Sequence, residues 1–161
     1  NDEERTRERF RLVRKRHPEL MLPEYAVWSG DTVRRDADGF LYFVGRRDEM
    51  IKTSGYRVSP TEVEEGVFRT GLVAEVAAFG VPHPMLGDAI IIVAQPAEGT
   101  QADTDALLAA CKPHLPMYML PAHVEWSQGP LPRNANGKID RKSLRMAQLD
   151  RFEPSTEGGA S

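Results

Sequence analysis

Residues 45–65 read GRRDEMIKTSGYRVSPTEVEE, and the order of chemistry within this stretch decides the fold. A charged run, Arg46-Arg47-Asp48-Glu49, has the composition of an interdomain linker. The segment IKTSGYRV after it reads, by its letters alone, as an exposed bend before a helix. Ser59-Pro60-Thr61-Glu62 is then a capping-box sequence with proline at the first helical position, where its missing N–H costs nothing. Val63 and Val67 fall on one face of the helix so begun, which is predicted over residues 60–70 with Gly71 as its stop.

Downstream the chain has the content of a domain. Residues 73–81 are rich in β-branched and small apolar side chains, and AIIIVA at 89–94 is the continuous apolar run expected of a strand covered on both faces. A helix is predicted over 104–112, ended by Pro113, then a third strand over 123–126 and a last helix over 141–149. The polar tail, 153–161, reads as disordered.

Upstream the apolar content thins. Residues 1–17 read as one charged helix, with Asp2, Glu3 and Glu4 at its start and Arg14, Lys15 and Arg16 at its end. Pro18 and Pro23 break it. Short strands are expected at 25–28 and 41–44, reversing through Asp38-Gly39. These first 46 residues hold too few large apolar groups for a core and are expected to pack against something else.

The 161 residues are 40% hydrophobic and 28% charged, which excludes collagen-like and wholly disordered classes. A formal charge of −3 makes no global case for nucleic acid. Locally, Arg133, Lys138, Arg141, Lys142 and Arg145 face only Asp140, an excess that could meet phosphates. The one cysteine, Cys111, excludes an intrachain disulfide, fits a reducing compartment and reads as core filler. No apolar run approaches bilayer length and the amino terminus is charged, so a soluble cytoplasmic protein is expected. His17, His114 and His123 lack ligand spacing, so no metal site is expected within this chain. Nothing resembles a Ser-His-Asp or Cys-His set.

Three segments in order, WSGD at 28–31, the stretch at 45–65 and LPRNANGKIDRKSL at 131–144, resemble the late motifs of the adenylate-forming enzymes: acyl-CoA synthetases, luciferases and peptide-synthetase adenylation domains. The resemblance covers most of residues 25–145. It implies an α+β fold in which a small mobile C-terminal lid domain, with a central three-stranded sheet flanked by helices, follows a short remnant of the large N-terminal domain. The corresponding boundaries are 1–46 for the remnant, 47–150 for the lid and 151–161 for the tail. The family's Ser/Thr/Gly-rich nucleotide loop has no counterpart here, so the chain reads as the carboxy-terminal part of a longer enzyme, partnered by its own large domain.

The same resemblance assigns roles. Lys138, in an Asn-Gly-Lys turn, matches the catalytic lysine whose ammonium bridges the substrate carboxylate and the α-phosphate of ATP. A mobile point cation suits charge that grows on nonbridging oxygens. Asp31 matches the carboxylate that grips the ribose hydroxyls; Ser29 stands where the family usually has Thr. Arg46 matches a residue reaching the ribose or a neighbouring phosphate, and Arg57 one that contacts ATP phosphates. Asp48 matches the hinge about which the lid rotates. Lys52 and Gly55 lie in the segment presented during thioester formation, where they line the approach of the pantetheine thiol. His83 falls in a loop the family often builds with Asp, and no chemistry is assigned to it.

The implied reaction is that of an AMP-forming acyl-CoA synthetase, an acid-thiol ligase using ATP, coenzyme A and a carboxylic acid. Mg²⁺ would be held through the absent domain. Alternatives are an adenylation domain or fatty-acyl-AMP ligase that loads a carrier protein, and a non-catalytic binding module, since this chain by itself is expected to be inactive.

Overall fold

A computed structural model describes residues 3–12 and 25–152. The chain divides into two compact units, Asn1–Asp48 and Glu49–Ser161.

In the first unit, helix α1 (Glu3–Arg9) is followed by β1 (Phe10–Leu12), which pairs antiparallel with β2 (Tyr25–Val27). The single helix predicted to run to residue 17 therefore stops at Arg9, and 13–17 lie outside the described residues. Phe10 and Leu12, two of the few apolar residues there, pair in register with Val27 and Tyr25 instead of forming a helical stripe. The reversal at Asp38-Gly39 joins β3 (Asp31–Arg35) to β4 (Leu41–Arg46), not the strand at 25–27 to the one at 41–46. Gly39 takes φ +94, and the Asp36 carboxylate accepts the Phe40 N–H at 2.9 Å, closing the turn. Among the described residues of this unit no large apolar side chain is buried; Trp28, Phe40, Leu41 and Phe43 are all more than half exposed.

The second unit is built on a five-stranded sheet: β5 (Ile51–Thr53), β6 (Tyr56–Val58), β7 (Val73–His83), β8 (Gly87–Pro96) and β9 (His123–Trp126). The three strands expected from sequence form its centre, β7 antiparallel to β8 and β9 parallel to it. The hairpin β5–β6 extends it, because IKTSGYRV is two strands and not a bend. Helix α2 (Pro60–Phe68) follows the hairpin, α3 (Thr104–Cys111) joins β8 to β9, and α4 (Arg141–Met146) closes the described chain.

Strand alternation divides the core into two layers. Val76, Ala78, Ile90, Ile92 and Ala94 point to one face, against Val63 and Val67 of α2 and Leu107 and Cys111 of α3. Ala77, Phe79, Val81, Ala89, Ile91 and Val93 point to the other, against Leu131, Ile139, Leu144 and Phe152. Each fully buried Val or Ile contributes about 1.5–3 kcal/mol relative to an exposed one, so both coverings are tightly held.

The helix starts depart from expectation. Ser59 is the N-cap of α2, yet its hydroxyl makes no capping bond; the side chain is fully buried, and Pro60 and the Ser59 carbonyl, which accepts the Val63 N–H at 3.3 Å, set the first turn. Side-chain caps appear instead at Asp103, which accepts the Ala106 N–H at 3.0 Å, and at Asp140, which accepts the Ser143 N–H at 3.1 Å.

Candidate active site

In the first unit, WSGD makes a turn in which Gly30 adopts φ +85 and Ser29 Oγ accepts the Asp31 N–H at 3.2 Å. The Gly30 carbonyl accepts the Arg47 N–H at 2.8 Å, and Asp31 lies opposite Arg46 in the β3–β4 register. Residues fifteen apart in sequence are thereby brought side by side. Arg46 Nη1 is 3.9 Å from Asp31 Oδ1, while its Nε and Nη2 donate to Asp48 Oδ1 and Oδ2 at 3.0 and 3.3 Å. The guanidinium holds the Asp48 carboxyl below its ordinary range. A concave surface of about 930 Å³ opens beside this turn, lined in part by Arg11, Trp28, Ser29, Asp31 and Arg47. Arg11 lies over the Trp28 ring at 5.2 Å.

In the second unit, the β5–β6 hairpin turns through Ser54 and Gly55 at φ 50 and 82, the two positive values of a type I′ turn. Nothing lies within 4 Å of where a Cβ on Gly55 would sit, so its backbone is open to approach by a ligand. Lys52 and Arg57 are exposed cross-strand partners. Like charges placed directly opposite oppose pairing, so the hairpin carries two cations that its own stability does not ask for. Next to them Tyr56 stacks on Tyr118 with ring centroids 4.1 Å apart. The hairpin is fixed to β8 by the Lys52 N–H donating to Asp88 Oδ2 at 3.2 Å and the Ser54 N–H to the Leu86 carbonyl at 2.8 Å.

Lys138 sits on an exposed loop closed by the bridge between Arg133 and Ile139. Asn134 organises it: Oδ1 accepts the N–H groups of Asn136 at 2.9 Å and Lys138 at 3.2 Å, and its own N–H donates to the Lys138 carbonyl at 2.8 Å. Gly137, at φ +76, lets the chain turn there. Among the described residues the Lys138 ammonium has no carboxylate partner, so a point charge is presented to solvent on an ordered backbone.

The two lysines are held at opposite ends of one strand. The hairpin joins β8 at Gly87, whereas the Lys138 loop is tied through Arg133 to Glu75, whose register partner is Gln95. From Gly87 to Gln95 is eight steps of about 3.3 Å, or roughly 26 Å between the attachment points.

The basic cluster expected to meet phosphates is largely used internally. Arg141 Nε and Nη2 donate to Glu64 Oε1 and Oε2 at 2.9 and 2.6 Å, Arg145 Nε donates to the Gly80 carbonyl at 2.7 Å, and Arg133 pairs with Glu75. Lys138 and Lys142 remain exposed. Sequence reasoning missed Glu64 and Glu75. For Glu75 the signal is a carboxylate inside an otherwise apolar strand, which demands a partner, whereas Glu64 lies between Glu62 and Glu65 and has no such mark. His83 Nδ1 accepts the N–H groups of Met85 and Leu86 at 3.2 and 3.3 Å, the work a turn carboxylate would do. Among the described residues no helix is long and apolar enough to cross a membrane. Among the described residues no group of three or more His, Cys, Asp or Glu could hold a metal ion.

Residues 62–138 match the family described as AMP-binding enzyme C-terminal domain. The acetyl-coenzyme A synthetase of Stutzerimonas stutzeri is 35% identical over 129 residues, covering 78% of this chain and 20% of that protein. The long-chain-fatty-acid–CoA ligase of Salmonella typhimurium is 40% identical over 117 residues, covering 73% and 20%. The crystal structure of ATP-bound MatB from Rhodopseudomonas palustris superposes with a TM-score of 0.76 at 26% identity, covering 94% of this chain and 28% of that one. The chain thus spans about one fifth of the length of the curated relatives it matches. Sequence motifs, sheet architecture and relatives agree: the chain belongs to the AMP-binding, adenylate-forming enzymes and carries their C-terminal domain.

Proposed function

We propose that residues 47–150 are the mobile lid of an AMP-forming acyl-CoA synthetase and that residues 1–46 are the last segment of its large domain, whose surface covers the exposed apolar side chains of the first unit. In the first half-reaction a substrate carboxylate oxygen attacks the α-phosphorus of ATP, the bond to the bridging oxygen breaks and pyrophosphate leaves. Lys138 supplies the ammonium that bridges the carboxylate and the α-phosphate as charge accumulates. Asp31 accepts from the ribose hydroxyls and Arg46 reaches the ribose or phosphate, whereas Arg57, the cross-strand partner of Lys52, lies at the other end of β8 from Lys138 and takes no phosphate contact in this step. Mg²⁺ would enter as part of the Mg-ATP substrate, with its protein ligands supplied by the large domain.

In the second half-reaction the thiolate of coenzyme A attacks the acyl carbonyl and AMP leaves. Lys52 and the open backbone at Gly55 line its path. The observation that carries this reading is the attachment of two exposed lysines to opposite ends of β8: a rigid unit cannot offer both to one phosphate at once, so it must turn between the steps, with Asp48 as the hinge. Coenzyme A is favoured over a carrier protein as acceptor because the relatives in sequence are coenzyme A ligases.

The test is product analysis on the longer enzyme. Incubation with Mg-ATP, coenzyme A and a panel of carboxylic acids should yield AMP, pyrophosphate and an acyl-CoA, each dependent on the acid. Release of ADP and phosphate would contradict the reading.

A further inference from the structure

Glu75 stands in the middle of an apolar strand, VAEVAAF, where a hydrophobic residue would serve the core as well. It is turned out of the first core layer by a bulge. Val73 faces Pro96 and Glu75 faces Gln95, so Ala74 is an extra residue that leaves Val73 and Val76 on the same face and points Glu75 to the other, where Leu131 lies. There one carboxylate holds both limbs of a loop. Oε2 accepts the Leu131 N–H at 2.7 Å and Oε1 pairs with the Arg133 guanidinium, whose Nη1 donates in turn to the Gly137 carbonyl at 3.2 Å. Gly137 directly precedes Lys138. The chain of contacts therefore runs from the rigid sheet through Glu75 and Arg133 to the peptide unit that orients the lysine.

We propose that Glu75 is a positioning residue for adenylate formation, fixing through Arg133 the loop that aims the Lys138 ammonium. This rests on the role given to Lys138 above. Charge on the Glu75 carboxylate matters because it must bind a guanidinium and a backbone N–H together. Entropy gives the reason for the device: a lysine on an unanchored loop would sample many positions, and misplacement by about 1 Å can cost about 100-fold in rate.

The experiment uses Glu75→Gln and Arg133→Gln in the longer enzyme, the second at a position about half exposed and so without a folding burden. Both variants should slow acid-dependent ATP–pyrophosphate exchange by about 10- to 100-fold while leaving thioester formation from preformed acyl-adenylate within about twofold. Amide exchange at Asn136 and Lys138 should accelerate, with Ile91 and Val93 unchanged. Equal slowing of both half-reactions, or exchange rates at Asn136 and Lys138 like those of the parent, overturns the proposal. So does unchanged adenylation in both variants when Lys138→Ala is itself slow, an outcome that leaves the lysine's role standing. An unimpaired Lys138→Ala overturns the underlying reading as well.

Discussion

Arg141 grips Glu64 through two hydrogen bonds, Nε to Oε1 at 2.9 Å and Nη2 to Oε2 at 2.6 Å, joining residues 77 apart in sequence. Glu64 is buried on α2 and also accepts the Ala78 N–H of β7 at 2.8 Å, so one carboxylate ties the second helix, the sheet and the start of α4 together. The pairing raises the affinity of the Arg141 guanidinium for its proton.

Arg141→Ala is expected to destabilise by about 2–3 kcal/mol, below the 3–5 of a wholly buried pair because Arg141 is a third exposed. Glu64→Gln should cost about half as much, since its amide oxygen still accepts from Ala78. Urea denaturation of both single variants and the double variant checks this; additive costs would show that the pair is not coupled.

Gly66 sits where α2 meets Leu115, and a Cβ there would fall 2.3 Å from Leu115 Cδ2 and 2.5 Å from Cγ. Alanine gains up to about 1 kcal/mol of helix propensity at such a position but must displace a buried leucine. A net loss of about 1–2 kcal/mol is expected from overpacking. A higher melting temperature for Gly66→Ala would show that the helix yields without strain.

Asp140 caps α4: the Ser143 hydroxyl and N–H bonds hold its carboxyl below the ordinary value of 3.8. A lowered folded pKa means that the stabilisation is complete above the unfolded value and is lost as pH falls through the folded one. Lowering the pH below about 3.8 should therefore loosen α4 in the parent chain, followed through the Ser143 amide resonance. Asp140→Asn keeps a capping oxygen and should lack this acid step; its persistence in the variant would assign it elsewhere.

Cys111, the last residue of α3, is fully buried, and burial pushes its thiol pKa up. It should react with a disulfide reagent only through opening of the fold, with a rate that climbs with urea concentration. Rapid labelling in native buffer would contradict that burial.

Strong periodicity made the sheet legible. The runs at 73–81 and 89–94 alternate between two core layers, and a continuous apolar run is what coverage on both sides requires. Ser54-Gly55 hid a hairpin because serine is an unusual occupant of a left-handed turn position. The strand at Asp31–Arg35 was masked by its polar letters, since both of its faces are exposed among the described residues. At the site, Lys138, Lys52 and Asp31 are visible as motif letters, but Glu64 and Glu75 become meaningful only once partners 77 and 56 or more residues away are beside them. At that range even a carboxylate that stands out in an apolar strand, as Glu75 does, does not name its partner.

The proposal that two lysines serve two half-reactions is tested most directly by measuring both rates in Lys138→Ala and Lys52→Ala of the longer enzyme. Lys138→Ala should slow acid-dependent ATP–pyrophosphate exchange by about 100-fold or more, the scale for losing one transition-state charge donor, and change thioester formation from preformed acyl-adenylate by no more than about twofold. Lys52→Ala should reverse that pattern. Equal slowing of both half-reactions in each variant would contradict the division of labour between the two ends of β8.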